Sequence, residues 1–192
     1  MPLRTSPVTR SAGRGLLIGG ILGAAVLAQP ATGQSAVGGI KVRVSLPAYR
    51  QPVALDTMLF VTEHEVPAGK VWSAAERVFY DYKIATDKRD SVEGVIGTTR
   101  YVKSTYFQKF PMSQVFNCGM SITGPNADNF RLSIAMVAIV SPVSSTKSRL
   151  GIGMVGSGLD MRGSSTNPVV CATTGRAEAD FADRVKKILA TP

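Results

Sequence analysis

The alternation of apolar and polar side chains divides the chain into strands, two helices and turns. KVRVSL, residues 41–46, alternates charged or polar with apolar positions as a half-buried strand does, and Pro47 ends it. In VALDTMLFVTEHEV, residues 53–66, Met58, Phe60, Thr62, His64 and Val66 alternate against Leu59, Val61, Glu63 and Glu65, which predicts a second strand, exposed towards its end. Beyond Pro67 the period changes. Val71, Ala74, Ala75, Val78 and Tyr82 recur at three- and four-residue steps with Glu76, Arg77 and Asp81 opposite, predicting a helix over about residues 69–82 with Trp72 near its first turn.

Strand character returns in residues 84–107 around a polar turn, carried by Val92, Val95, Ile96, Thr98, Tyr101 and Val102. PMSQVFNCG, residues 111–119, fits a short turn of helix, and GPNADN, residues 124–129, is rich in turn formers. FRLSIAMVAIV, residues 130–140, is amphipathic at first and then apolar on both faces, so it belongs in the middle of the sheet. After the polar connection SPVSSTKSR, residues 141–149, Leu150, Ile152 and Met154 alternate with Gly151 and Gly153. The phase then slips at Val155-Gly156, which predicts a β-bulge, with the glycines admitting another backbone or an aromatic ring. In the last segment Ala177, Phe181, Val185, Ile188 and Leu189 form one helical stripe, with Thr173 or Thr174 as the expected cap. Glu178 and Asp180 lie early in that helix and Lys186 and Lys187 late, as its dipole favours. Runs of strands with two separated helices imply an α+β domain: an antiparallel sheet with two main helices packed on one face, a two-layer sandwich.

The start of the chain sets a compartment. Arg4, Arg10 and Arg14 precede an uncharged stretch from Gly15 to Ala28, shorter than a spanning helix needs and followed by small and polar residues. Residues 1–28 read as a secretory signal peptide cleaved before Gln29, with cleavage after Gly33 as the second choice. Residues 29–39 read as a flexible leader and 40–192 as one domain. The destination is the periplasm or the exterior. No arginine pair marks a twin-arginine signal, and no cysteine near the cleavage region offers a lipid attachment point. In an oxidising compartment the only two cysteines, Cys118 and Cys171, are expected to form a disulfide.

The formal net charge is +9; the signal contributes three arginines and no acid, and subtracting these leaves +6. Beyond the membrane such a charge points to anionic envelope components rather than nucleic acid.

Several motifs carry candidate chemistry. Gly151, Gly153 and Gly156 match the dinucleotide spacing G-x-G-x-x-G, but they fall inside a strand pattern with no helical period after it, which excludes a phosphate cradle. His64 stands between Glu63 and Glu65, yet strand neighbours face opposite ways, so it reads as a surface residue rather than a base. Ser144 and Lys147 match S-x-x-K of serine-lysine hydrolases, without the companion motifs S-D-N and K-T-G. Asp87, Asp90 and Glu93 are interrupted by Lys88 and Arg89 and read as a turn rather than a calcium loop. RYVKSTYFQKF, residues 100–110, interleaves cations with aromatics. Arg100, Tyr101, Lys103, Tyr106 and Lys109 form the expected contact surface, with Phe107 and Phe110 on the same stretch. No cofactor and no metal site are expected.

V-W-x-A-A-x-x-V in the first helix, Phe116-Asn117-Cys118-Gly119, Ala127-Asp128 and the run from Cys171 to Glu178 resemble, over about residues 55–190, a family of uncharacterised exported bacterial proteins. That resemblance implies the pairing of Cys118 with Cys171. The helix followed by strand, turn and strand is more distantly similar to the helix-grip domains of envelope lipoproteins that attend outer-membrane protein assembly. Three functions follow as expectations: a non-catalytic envelope domain binding a protein or envelope component, a small-molecule or lipid carrier with a helix–sheet cavity, and a serine-lysine hydrolase.

Overall fold

The structure, a computed structural model, describes residues 42–163 and 165–191; the expected signal peptide, leader and first residue of the first strand lie outside the described residues. Strands β1 (Arg43–Val44) and β2 (Val53–Ala54) form a small antiparallel hairpin, followed by a 3-10 turn at Leu55–Thr57. Next come β3 (Leu59–His64), helix α1 (Ala68–Asp81), β4 (Lys88–Asp90) and β5 (Val95–Ser104). The short pairs β6 (Tyr106–Phe107) with β7 (Phe110–Pro111) and β9 (Met120–Ser121) with β10 (Gly124–Pro125) flank a 3-10 turn at Met112–Gln114 and β8 (Phe116–Asn117). The chain finishes with α2 (Asn126–Asn129), β11 (Phe130–Pro142), β12 (Ser148–Asp160), β13 (Val169–Thr173) and α3 (Arg176–Ala190).

The main sheet is antiparallel, in the order β4-β5-β11-β12-β13-β8. Its β12 strand is paired along its whole length with β11, and its other side is shared: β3 pairs with Ser148–Gly153 and β13 with Gly156–Gly158. The α+β expectation holds, and β11 lies between two partners with Leu132 and Ile134–Ile139 fully buried.

Parity along β11 and β12 sorts the core. Leu132, Ile134, Met136, Leu150, Ile152 and Met154 face α1 and α3, joined there by Phe79 and Phe181, whose rings meet edge to face at 4.9 Å. Burying each such ring contributes on the order of 2–3 kcal/mol. Ala135, Val137, Ile139 and Val155 face the other way, and here a strictly two-layer picture needs correction. Val42, Val44, Leu46 and Leu55 from the N-terminal hairpin cover part of the face opposite the helices. A sheet buried on both faces explains why residues 134–140 are apolar without alternation.

The expected bulge at Val155-Gly156 is absent. The β11–β12 register runs unbroken from Phe130↔Asp160 to Pro142↔Ser148, and the irregularity lies between β5 and β11 instead, at Ile134/Met136. Gly156 keeps its parity and faces the Phe116 ring, whose Cε1 would lie 2.7 Å from a Cβ there. Val155 looked out of phase only because the back face is also apolar. The cap of α3 differs too: Gly175, in the left-handed region at φ 82°, is the N-cap, while the Thr173 hydroxyl accepts from the Gly175 N–H and donates to Glu178.

Candidate functional site

Of the expected contact residues, three converge. Tyr101, Lys103 and Tyr106 line a cleft of about 430 Å³ between the outer side of β5 and the C-terminal end of α1, together with Lys83, Gln108 and one acid, Asp81, which is held by Arg77 at 3.0 Å. Beneath two of its lining residues lies buried Phe107, whose ring stands nearly perpendicular to those of Tyr82 (5.9 Å) and Tyr101 (6.3 Å). Tyr101 is half-buried, and burial pushes its phenol up from the ordinary value. Tyr106 is 52% exposed and Val102 51%.

Lys83 and Lys103 are exposed, and among the described residues neither has a carboxylate within 4 Å. Among the described residues three non-glycine positions lie in the left-handed region: Lys83 (φ 55°) and Gln108 (φ 54°), which line this cleft, and Thr105 (φ 66°), next to Tyr106 in the chain. Such backbone is costly and persists only where neighbours hold it. The holding contacts are visible: Gln108 Nε2 donates to the Tyr82 carbonyl at 2.9 Å, and Met112 N–H donates to the Thr105 carbonyl at 2.8 Å.

The other two expected residues point elsewhere. Arg100 is exposed with its Nε 4.0 Å from Asp87, while Lys109 is drawn to Asp180 at 3.0 Å and over the Phe110 ring. Asp180 also accepts from Tyr82 Oη at 2.6 Å and from Arg184 Nε at 2.9 Å, joining the end of α1, the β6–β7 turn and α3. Burial pushes the Asp180 carboxyl up, but the hydrogen bonds from Tyr82, Arg184 and Lys109 outweigh it and hold the group below its ordinary value. Burial, then the Asp180 hydrogen bond, drive the Tyr82 phenol far upward. Lys109 thus locks the back wall of the cleft, and Lys83, which the helix period left out of the contact set, takes its place.

The remaining candidates meet different fates. Lys147 Nζ lies 3.0 Å from Glu65 and 3.3 Å from Glu63, and hydrogen bonds to these two carboxylates raise its value. The Ser144 hydroxyl accepts from the Thr146 N–H. A serine-activating lysine needs a lowered value, and this one is held charged. His64 Nε2 meets Thr62 Oγ1 at 3.0 Å, and burial, then Lys186, push the imidazole down. Asp87 and Asp90 spend their oxygens on the turn: Asp87 accepts from the Thr99 N–H and hydroxyl, and Asp90 from the N–H groups of Val92 and Glu93. Gly151 and Gly153 face Leu55 and Leu59 within β12. Cys118 and Cys171 form a disulfide that ties β8 to β13 across a sequence separation of 53.

A second opening was not legible in the sequence. Ala68, Trp72, Val92, Val140, Pro142 and Val143 line a mostly apolar cleft of about 890 Å³ where the first turn of α1 meets the end of the sheet. Val92, on its rim, is 96% exposed.

Glu178 is buried, with Oε1 accepting from Thr173 Oγ1 at 2.6 Å and Oε2 lacking a partner. Burial raises its carboxyl, opposed by the Thr173 bond. The folded state therefore holds this proton more tightly than the unfolded chain, so the stability tied to the neutral form is complete at acid pH and lost as pH rises through the folded value. Glu178→Gln is expected to unfold at higher denaturant than the wild type near about pH 8, by roughly 1 kcal/mol for the unpartnered oxygen. The difference should close below about pH 4. Equal midpoints at both pH values would contradict the assignment.

No helix among the described residues is long and apolar enough to cross a membrane. No protein-family model matches the chain, and a search of curated proteins returns no match to it.

Proposed function

We propose that the chain is an exported, non-catalytic binding domain that holds an anionic protein or envelope component on the cleft between β5 and the end of α1. The observation that carries this reading is the pairing of two cations without a carboxylate within 4 Å among the described residues, Lys83 and Lys103, with the rings of Tyr101 and Tyr106 around one opening, whose one acid, Asp81, is already paired with Arg77. A cation in that setting offers charge, and each tyrosine offers an apolar face with a polar tip. The filled space between helices and sheet, where Phe79, Phe181 and Met136 are fully buried, supports surface recognition over an enclosed ligand. We read the packing of α1 and α3 on the sheet as helix-grip-like, and the destination as the periplasm or exterior without a lipid anchor. The engagement of Lys147 by Glu63 and Glu65 counts against the serine-lysine reading.

Amine-reactive cross-linking of intact cells, read by mass spectrometry, tests the proposal. Lys83 and Lys103 are expected to link reproducibly to one partner, and Lys83→Glu with Lys103→Glu should cut recovery of that partner at least tenfold. Unchanged recovery would remove the site.

One observation favours a second reading. The apolar cleft beside Trp72 has the size of small-molecule sites, which keeps a lipid or small-molecule carrier in view. Trp72 is the single tryptophan of the chain, so its emission during titration with a long-chain fatty acid separates the two readings.

A further inference from the structure

The cleft beside β5 is also an open sheet edge. The β4 strand pairs only with Val95–Gly97, so from Arg100 to Ser104 the outer side of β5 has no partner strand among the described residues. Opposite that edge stands the end of α1, with Tyr82 and Lys83 across the opening from Tyr101 and Lys103. An edge strand facing a helix across a cleft is the arrangement in which an extended peptide adds one strand to a sheet: main-chain hydrogen bonds supply affinity, and alternate side chains supply specificity.

Charge selects the occupant. Tyr101 and Lys103 point to the helix side of the sheet, where Lys83 also stands; Val102, on the opposite face, pairs with Ser133, and two residues along Ser104 pairs with exposed Arg131. A second copy of this edge would gather Arg100 and Lys103 of both copies along one seam, which opposes self-pairing. An incoming strand with carboxylates on its helix-side positions and apolar residues on the other would meet Lys83 and Lys103 on one face and Val102 on the other. The Gln108 Nε2 bond to the Tyr82 carbonyl ties the end of α1 to the segment that follows β5, so both walls stand in place before anything binds.

We infer that the edge of β5 from Arg100 to Ser104 takes up an extended acidic segment of a protein partner as an added strand. This rests on the binding reading above and narrows it from any anionic component to a peptide backbone. The probe is an eight-residue peptide of alternating glutamate and valine, compared with the same peptide N-methylated at alternate amides. The second keeps charge and side chains but loses main-chain donors. Binding is followed by fluorescence anisotropy at low ionic strength, and amide hydrogen exchange of residues 100–104 is measured with and without the probe.

The expected result is at least tenfold weaker binding of the N-methylated peptide, slower exchange at residues 100–104 with the parent peptide, and at least tenfold loss on Lys83→Glu with Lys103→Glu. Equal affinity for both peptides, with the lysine variant still weakened, would overturn strand addition and leave the anionic binding reading standing. Absence of binding at millimolar probe would also overturn strand addition, while the cross-linking result decides the broader reading separately. Light scattering showing a dimer whose dissociation speeds exchange at residues 100–104 would assign the edge to a second copy and overturn the inference.

Discussion

Replacing Cys118 and Cys171 together with alanine is expected to lower stability by about 4 kcal/mol, from the loop entropy released when a cross-link over 53 residues is removed. For a domain of this size that corresponds to a fall in melting temperature of roughly 10 °C. The bridge is not the only tie between these segments. Asn117 pairs with Ala172, and the Thr174 N–H donates to the Val115 carbonyl at 2.9 Å, so the reduced fold retains a route to the same arrangement. The double variant should therefore fold and melt early rather than fail to fold. Calorimetry under oxidising conditions checks this, with wild type plus reductant as the parallel sample. Melting within about 2 °C of the oxidised wild type would contradict the loop-entropy argument.

A single methyl group at Gly97 is expected to cost more per atom. A Cβ there would lie 2.2 Å from the Met136 carbonyl oxygen and 2.7 Å from the Val137 Cα, both backbone atoms of the neighbouring central strand. Flexible side chains can turn aside, but β11 is held on both sides and cannot. Gly97→Ala is expected to destabilise the fold by more than about 4 kcal/mol and to reduce soluble yield sharply. Urea denaturation of whatever soluble fraction remains measures the loss. A midpoint equal to wild type would mean that β5 can shift its register at the adjacent irregularity, and the reading of a rigid centre would fall.

Much of this architecture was legible because single-period patterns survived: α1 and α3 from three- and four-residue steps, and β11 from an apolar run too long for a surface strand. The apolar run also marked a second covered face, and what stayed hidden was the segment that covers it. Val42, Val44 and Leu46 read as one more strand of a two-layer sheet, and nothing local to them says that they lie across the back of β11 and β12. The same hidden layer turned Val155 into an apparent slip of phase. For the site, Tyr101, Lys103 and Tyr106 could be found because cations and aromatics interleave along one segment. Lys109 continued that pattern on paper, but the β6–β7 reversal turns it towards Asp180. Lys83 could not be found that way, since only the return of α1 beside β5 brings it to the opening.

The back layer also sets an order of events. Ala48 N–H donates to Ser157 Oγ at 3.1 Å across 109 residues of sequence, and Tyr49 Oη reaches the Gly156 carbonyl across 107. A chain that emerges N-terminus first presents Val42, Val44 and Leu46 long before Val137 and Val155 exist to receive them. These apolar residues therefore wait, uncovered, for most of the time the chain takes to emerge. That seam cannot close before Val155 has emerged, and until then the domain's N-terminal hairpin offers its apolar side to any holding factor for the unfinished chain.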